Sequence, residues 1–218
     1  MIEIEPKIAL EVFGGALGKI RLFARNLEQD GERLGLIGPL ELPRLWTRHL
    51  VNCALLAPFL GSSSSEQLGS NGLVEGKICD VGSGAGLPGL VLAAIRTDLQ
   101  FVLIEPMERR AEWLKVQVQE LELTNVEINR NRAEEVSRGS FSKVTARAVG
   151  SLTKLIPLCA PLLVPAGELL FMKGSRVHEE IAAAEKVLRK WHIHEFEVLD
   201  LGAEYGTETT KLFRARVD

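Results

Sequence analysis

A glycine-rich segment is the part of this sequence best suited to binding a ligand. It reads ICDVGSGAGLPG over residues 78–89 and joins a β-rich run to a helical pattern. Glycines remove side chains where a chain turns sharply, so a ligand can approach the backbone there. Three alternating glycines exceed what one turn requires, and Pro88 suits the first turn of a helix whose free N–H groups face the loop. The segment therefore predicts a cofactor-binding loop between a strand and a helix.

Two cofactor classes fit this loop. Gly84, Gly86 and Gly89 match G-x-G-x-x-G, the pattern of dinucleotide-binding oxidoreductases. Beginning at Asp80, the same segment gives D-x-G-x-G-x-G, the pattern of S-adenosylmethionine-dependent methyltransferases. Glu105 ends the next strand candidate, 19 residues beyond Gly86, where a carboxylate can accept hydrogen bonds from two ribose hydroxyls in either class. Asp80 and a strand pair at the end of the chain favour the methyl donor, while a nicotinamide dinucleotide stays open as the alternative.

Arg147 is placed where a ligand could lie. On the strand candidate VTARAV it faces away from the small apolar side chains, near the carboxyl end of the strand. Crevices in open α/β sheets lie outside these ends. A charge in a central parallel strand is costly unless it is paired or faces a ligand crevice. Arg147 is therefore predicted either to bind the ligand or to pair with an acid such as Asp80 or Glu105.

Three further basic residues could contact nucleic acid. Lys173 ends the fifth strand candidate at the same edge of the sheet, and Arg44 and Arg48 lie four residues apart on one face of a predicted helix. Each is either a phosphate ligand or a charge in solvent. His192 and His194 have no cysteine or acid at metal-ligand spacing, so no metal site is predicted.

Short β-rich runs alternate with helical periods from residue 77 onward. The strand candidates are 77–82, 100–105, 126–130, 144–149, 168–173, about 194–201 and about 209–216. Strands that alternate with helices imply right-handed crossovers and a mostly parallel sheet covered on both faces. The last two strands are joined by a turn only, so the final strand is predicted to be antiparallel. The expected fold is α/β, with a Rossmann-like sheet of seven strands.

The chain divides into three predicted regions. Residues 1–60 form a helical N-terminal cap, with apolar residues at helical spacing over 9–27 and a second helix from Pro43 to Ala57. Residues 61–76 contain GSSSSEQLGSNG and predict a flexible linker. Residues 77–218 form the Rossmann-like domain.

Composition limits the function classes. Of 218 residues, 46% are apolar and 25% charged, which excludes wholesale disorder. The net charge of −3 argues against a protein whose whole surface binds nucleic acid, but not against a basic patch around one cleft. No run approaches the ~20 apolar residues of a membrane span, and no secretory signal is visible. With three cysteines, an odd number, we expect a cytoplasmic protein without disulfides, and a monomer because no apolar stripe demands a partner.

Six segments resemble the glucose-inhibited division protein B family of bacterial small-subunit rRNA methyltransferases. They are RLWTRHLVNCALL (44–56), DVGSGAGLPG (80–89), EPMERRAEWL (105–114), RAEE (132–135), TARAVGSL (145–152) and LLFMKG (169–174). They occur in family order and cover most of residues 35–175. The resemblance implies a seven-stranded class I S-adenosylmethionine-dependent methyltransferase with a helical cap. It also implies methyl transfer to N7 of one guanine in 16S rRNA, with the rRNA or the 30S subunit as partner.

The resemblance further implies roles for individual residues. Gly82 and Leu87 occupy positions that contact the methyl donor in the family, and Ala133 and Glu134 would flank its adenine. Arg147 would lie against the donor or the target phosphate. Simple packing against the first helix is the alternative for Leu87. The spacing of Asn131 and Glu134 also resembles a helix capping box, a role compatible with cofactor contact.

The mechanism follows from motifs that the sequence lacks. No Asn/Asp-Pro-Pro-aromatic segment, which aligns exocyclic amines, follows the fourth strand candidate, and no cysteine suited to C5-pyrimidine methylation follows the fourth or fifth. Guanine N7 carries an in-plane lone pair and no proton at neutral pH, so no catalytic acid or base is predicted. In-line displacement driven mainly by positioning is expected. A non-catalytic ribosome-assembly module with the same fold is the remaining alternative.

Overall fold

Seven strands form a single sheet in the computed structural model, which describes residues 3–61, 76–205 and 208–217. The strands are β1 (Lys77–Val81), β2 (Gln100–Ile104), β3 (Val126–Asn129), β4 (Phe141–Arg147), β5 (Leu163–Lys173), β6 (Phe196–Leu201) and β7 (Thr210–Arg216). Their order is β3-β2-β1-β4-β5-β7-β6. Strands β1 to β5 pair in parallel, and β7 is antiparallel to both β5 and β6. The predicted seven-stranded sheet with an antiparallel last strand is confirmed.

Seven α-helices accompany the sheet in the described parts of the chain. They are α1 (Ala9–Phe13), α2 (Leu17–Asp30), α3 (Asn52–Ala54), α4 (Gly89–Ile95), α5 (Glu108–Glu120), α6 (Leu152–Cys159) and α7 (Val177–Lys190). α4 begins where the glycine-rich segment ends, so its first turn faces the carboxyl end of β1. None of the described helices has the length and apolar character needed to cross a membrane.

The N-terminal region shares its apolar core with the sheet. Ile20 and Phe23 of α2 and Leu50 are fully buried in the same cluster as Ile78 of β1 and Leu103 of β2. Burial of apolar surface contributes roughly 25 cal/mol of stabilisation per Å², and it holds the N-terminal cap against the sheet. The predicted linker, residues 61–76, lies outside the described residues apart from its two ends, Gly61 and Gly76.

The second predicted helix is helical but not a regular α-helix. A 3₁₀ turn (Leu42–Arg44) leads into a π-helical segment (Leu45–Val51), which is followed by α3 and another 3₁₀ turn (Ala57–Leu60). The region from Pro43 to Ala57 is helical as predicted, but the prediction of one regular helix was wrong. π-Helical turns are rare and occur frequently at functional sites, because they re-aim side chains along a helix.

Candidate active site

The glycine-rich loop turns at three glycines with positive φ. The φ angles of Gly82, Gly84 and Gly86 are +69°, +54° and +99°, a region that side chains rarely adopt. A Cβ on Gly86 would lie 2.3 Å from Leu90 Cδ1, and one on Gly82 would lie 2.7 Å from Val149 Cγ2. At Gly84 the nearest atom would be a backbone oxygen at 3.7 Å, so its backbone is open to a ligand.

Asp80 and Glu105 hold the loop in this shape. The N–H of Gly89 donates to Asp80 Oδ2 (3.1 Å), and the carboxyl group is fully buried. The N–H groups of Gly84 and Met107 donate to Glu105 Oε2 (3.0 Å) and Oε1 (2.9 Å). The structure thus gives both predicted cofactor residues a positioning role, and Glu105, only 2% exposed, already uses each oxygen for a backbone N–H.

Four of the predicted cofactor residues meet at one cavity. This cavity, of about 280 Å³, lies between the glycine loop and the cap, and we call it the smaller cavity because a larger one adjoins it. Gly82, Gly84, Leu87 and Arg147 line it from the sheet side. On the cap side lie Ile37, Glu41 and His49, among others.

Ala133 and Glu134 lie apart from that cavity. They form a 3₁₀ turn after β3, in which Ala133 is buried and Glu134 is exposed. The turn is capped by Arg132, whose N–H donates to Glu135 Oε2 (3.2 Å). The capping box expected from Asn131 and Glu134 was therefore wrong by one residue. Cofactor contact by Ala133 and Glu134 remains a prediction.

Arg147 connects the sheet to the cap. Its Nη2 donates to His49 Nδ1 (2.7 Å) and to the carbonyl oxygen of Arg48 (3.3 Å). Within the described parts of the chain it forms no ion pair, so the alternative in which Arg147 pairs with Asp80 or Glu105 was wrong. The reason is that the π-helical segment brings neutral acceptors to the end of β4.

His49 relays the contact of Arg147 to a carboxylate. Because a guanidinium can only donate, His49 Nδ1 accepts, and the ring proton on Nε2 is donated to Glu41 Oε2 (2.7 Å). Burial, followed by the positive charge of Arg147, lowers the His49 pKa to about 4, so the ring is neutral at pH 7. Arg147, His49 and Glu41 form a chain that we call the partition.

The partition separates the smaller cavity from a larger one. The larger cavity, of about 750 Å³, lies at the carboxyl ends of β4 and β5, and all three partition residues line both cavities. Arg48, Asn52 and Lys173 also line the larger cavity. A ligand bound at the glycine loop and one bound in the larger cavity would therefore meet at Arg147.

The two predicted RNA-binding arginines are ion-paired across the fold. Arg44 Nε donates to Glu208 Oε1 (2.6 Å), and Arg48 lies 3.2 Å from carboxylate oxygens of both Glu208 and Glu41. Both side chains remain 41% exposed, so whether they contact phosphate or only solvent and Glu208 stays a prediction. Arg48 lines the larger cavity, whereas Arg44 lines neither of the two.

Lys173 is also held by partners. Its Nζ lies 2.6 Å from Glu180 Oε2 and donates to the carbonyl oxygen of Gly150 (2.8 Å). The side chain is 7% exposed, so the alternative of a lysine in solvent was wrong. Lys173 borders the larger cavity with its charge already neutralised.

The neutral state of His49 makes a pH prediction. The unfolded chain takes up the proton near pH 6.5, whereas the folded protein resists protonation down to about pH 4. The unfolded state therefore binds more protons between these values, and stability should fall as pH drops from 6.5 towards 4, by no more than about 3 kcal/mol. His49→Gln should remove this part of the pH dependence, as measured by urea unfolding from pH 7 to pH 4.5.

The pH dependence of stability that Asp80 causes has the opposite sign to that of His49. We therefore subtract the His49→Gln stability curve from the wild-type curve. Burial raises the Asp80 pKa to about 7, so its contribution is lost as pH rises from about 4 to 7. Both proteins contain Asp80, and its effect cancels when the two curves are subtracted. A difference curve that is flat from pH 7 to pH 4.5 would contradict the neutral His49.

Comparisons with known proteins agree with this architecture. The family model described as rRNA small subunit methyltransferase G matches residues 16–207. A relative with that name from Clavibacter michiganensis is 50% identical over 218 residues, covering 100% of this chain and 97% of its own. One from Leifsonia xyli is 49% identical over 217 residues, covering 99% and 98%.

Solved structures support the fold alone. A SAM-dependent methyltransferase from Aquifex aeolicus has a TM-score of 0.56 at 16% identity, covering 89% of this chain and 98% of that one. The tRNA (m1A58) methyltransferase TrmI from Aquifex aeolicus has a TM-score of 0.56 at 12% identity, covering 76% and 68%. The sequence matches decide between the two cofactor classes in favour of the methyl donor. The chain belongs to the family of rRNA small subunit methyltransferase G.

Proposed function

We propose that this protein transfers a methyl group from S-adenosylmethionine to N7 of a guanine in 16S rRNA. The observation that carries the proposal is the meeting of two cavities at Arg147, one on the glycine loop and one lined by ion-paired side chains and the cap. A methyltransferase needs such a junction, because donor and acceptor must be held in line and close together.

We assign the methyl donor to the smaller cavity, which borders the glycine loop. Gly84 exposes backbone that a ligand can approach, while Gly82, Leu87 and Arg147 form the surrounding wall. Ala133 and Glu134 would flank the adenine, with Asp80 and Glu105 keeping the loop in place from behind. When bound, S-adenosylmethionine supplies an electrophilic methyl group, and these residues orient it towards the larger cavity.

The larger cavity supports a target that needs no proton transfer. Its carboxylates are engaged with basic groups: Glu41 with His49 and Arg48, Glu180 with Lys173, and Glu208 with Arg48. A carboxylate paired with a cation is a poor base, since its charge is already stabilised. Guanine N7 carries no proton, so binding and orienting the base and excluding water are the tasks left to the protein.

A transfer assay with radiolabelled S-adenosylmethionine tests this function. Naked 16S rRNA and 30S subunits from a strain lacking the family enzyme are the substrates, and the product is mapped as 7-methylguanosine. One methyl group per rRNA at one guanine is expected. Calorimetry should show binding of S-adenosylhomocysteine and none of NAD. Donor binding without transfer to either substrate would instead favour the non-catalytic assembly module.

The cellular location and the oligomeric state belong to the same proposal. We expect a cytoplasmic enzyme, because its substrate would be the small ribosomal subunit or its rRNA. We also expect a monomer, with the molar mass of one 218-residue chain in light scattering at micromolar concentration. A concentration-independent dimer would contradict the second expectation.

The arginine pair makes a prediction about RNA binding. Arg44→Ala together with Arg48→Ala should weaken RNA binding and leave S-adenosylhomocysteine affinity intact. The slope of log affinity against log salt should flatten by about one unit for each phosphate that the variant no longer binds. Conversely, Glu208→Gln should strengthen RNA binding, because the RNA phosphates would no longer compete with that carboxylate for the two guanidinium groups.

A matched double variant controls for the loss of positive charge. Arg33 and Arg189 are also ion-paired, but they line neither cavity. Arg33→Ala with Arg189→Ala should leave the salt slope unchanged. If both double variants show the wild-type slope, Arg44 and Arg48 hold Glu208 and do not bind RNA.

A further inference from the structure

Asn52 has a buried polar atom that the fold does not use. It is the first residue of α3 and is 3% exposed, yet it lines the larger cavity. Among the residues that the structure describes, its buried Oδ1 has no hydrogen-bond partner. Buried polar atoms of native proteins are nearly always paired, because an unpaired one costs free energy. Because Asn52 lines a cavity, a ligand that donates a hydrogen bond to this oxygen would satisfy it.

Asn125 is a buried asparagine whose hydrogen bonds lie within the fold, and it serves as a comparison for Asn52. It is equally buried, at 3% exposed, and its Nδ2 donates to the carbonyl oxygens of Ala93 (3.1 Å), Arg96 (3.1 Å) and Leu99 (3.0 Å). These bonds tie the residue before β3 to the end of α4 and to the turn before β2. Asn125 is not among the residues with an unpaired buried side-chain atom, whereas Asn52 is, and no bond among the described residues accounts for the Asn52 Oδ1.

The charged side chains around the larger cavity are already paired. Arg48 is bound to Glu208 and Glu41, and Lys173 to Glu180. Arg147 is held by His49 and by cap carbonyl oxygens. Among the described residues that line this cavity, Asn52 alone has a buried polar side-chain atom with no existing bond to break.

We propose that Asn52 recognises the base to be methylated, its Oδ1 accepting a hydrogen bond from the N1–H or 2-amino group of guanine. The inference rests on the proposed function. Guanine carries N7 on one edge and these donors across the ring from it. Asn52 lines the larger cavity and not the smaller one, so it lies on the side of the partition away from the glycine loop. Adenine has an acceptor at N1 and no 2-amino group, so this contact selects guanine.

Replacement of Asn52 by leucine, which is close in volume and cannot accept, tests the proposal. Asn52→Leu should lower kcat/KM for rRNA by about 10- to 100-fold, the loss expected for one specific hydrogen bond. Affinity for S-adenosylhomocysteine should be unchanged. The melting temperature should stay the same or rise, because an unpaired polar atom has been removed. Asn52→Asp, which retains an acceptor oxygen, should recover most of the activity.

Asn125→Leu is the matched control. The same substitution at the satisfied asparagine should lower the melting temperature and leave methyl transfer by the folded fraction unchanged. The proposal is overturned if Asn52→Leu keeps wild-type kcat/KM. It is equally overturned if this variant loses affinity for S-adenosylhomocysteine, or is destabilised as Asn125→Leu is while its folded fraction stays fully active.

A binding experiment separates this proposal from the proposed function. In the wild-type protein, GMP should shift the side-chain amide resonance of Asn52 in a ¹⁵N spectrum, and AMP at the same concentration should not. Equal shifts with both nucleotides, or none with GMP, would overturn the role of Asn52. A wild-type chain that transfers no methyl group to rRNA while GMP still shifts Asn52 would refute the proposed function alone.

Discussion

Arg147→Ala is expected to lower methyl transfer by at least about 100-fold, because misplacement of reactants by about 1 Å can cost that much. Arg147 is the residue at which the two cavities meet, and its guanidinium is fixed by His49 Nδ1 and by the Arg48 carbonyl oxygen. Without the Arg147 side chain, the partition loses the one residue that lies on the sheet. Donor and base would then no longer be held in one geometry.

The same substitution should cost only about 1–3 kcal/mol of stability, the scale of hydrogen bonds to a charged group. A buried ion pair would cost roughly 3–5 kcal/mol, because truncation would leave a carboxylate without its partner. Here the neutral His49 keeps its bond to Glu41, so no buried charge is left unpaired. Urea unfolding and a transfer assay on the same preparation measure both effects.

Two variants control the Arg147 experiment. Arg130 pairs with Glu108 on the surface and lines neither cavity, so Arg130→Ala should retain full activity. Arg147→Lys keeps the charge but lacks the guanidinium fork, so it should remain well below wild type. Normal specific activity in the folded fraction of Arg147→Ala, together with a large loss of stability, would make Arg147 a purely structural residue.

The sheet and its loop could be predicted because their signals are local. β-Rich runs, helical periods and the glycine pattern each occupy about ten neighbouring residues, and their alternation then predicts a mostly parallel sheet. Gly82 and Gly84 were found in this way, whereas Leu87 was named only through the family resemblance, and all three line one cavity. Such features depend on the backbone near each residue, which the sequence specifies directly.

The wall between the cavities could not be predicted because its contacts are distant in sequence. Arg147 and His49 are 98 residues apart, and Arg44 and Glu208 are 164 apart. A π-helical segment decides which side chains of residues 45–51 face the sheet, and a pattern of regular helical spacing does not reveal it. Asn52 was missed for a similar reason, since its orphaned oxygen is visible only once its surroundings are known.

Gly82→Asp is expected to abolish binding of the methyl donor, with at least about a 100-fold loss of affinity, equivalent to ~3 kcal/mol. The φ angle of Gly82 is +69°, and a Cβ there would lie 2.7 Å from Val149 Cγ2, so either the loop or the Val149 side chain has to shift. The new side chain would also occupy the wall of the smaller cavity. Calorimetry with S-adenosylhomocysteine measures the affinity, and circular dichroism shows whether the variant is folded.

Gly139→Asp is the control variant for Gly82→Asp. It introduces similar backbone strain away from the ligand site, so it shows whether strain alone lowers donor affinity. Gly139 has a similar φ of +62°, and a Cβ there would meet no atom closer than 3.9 Å. It lies before β4 and lines neither cavity, so the same substitution should leave donor affinity unchanged. If Gly82→Asp fails to fold, Gly82→Ala with Val149→Ala provides room for the methyl group and still narrows the cavity. Wild-type affinity in a folded Gly82→Asp protein would mean that the glycine loop does not bind the donor, because no ligand held against that backbone could tolerate the added carboxylate.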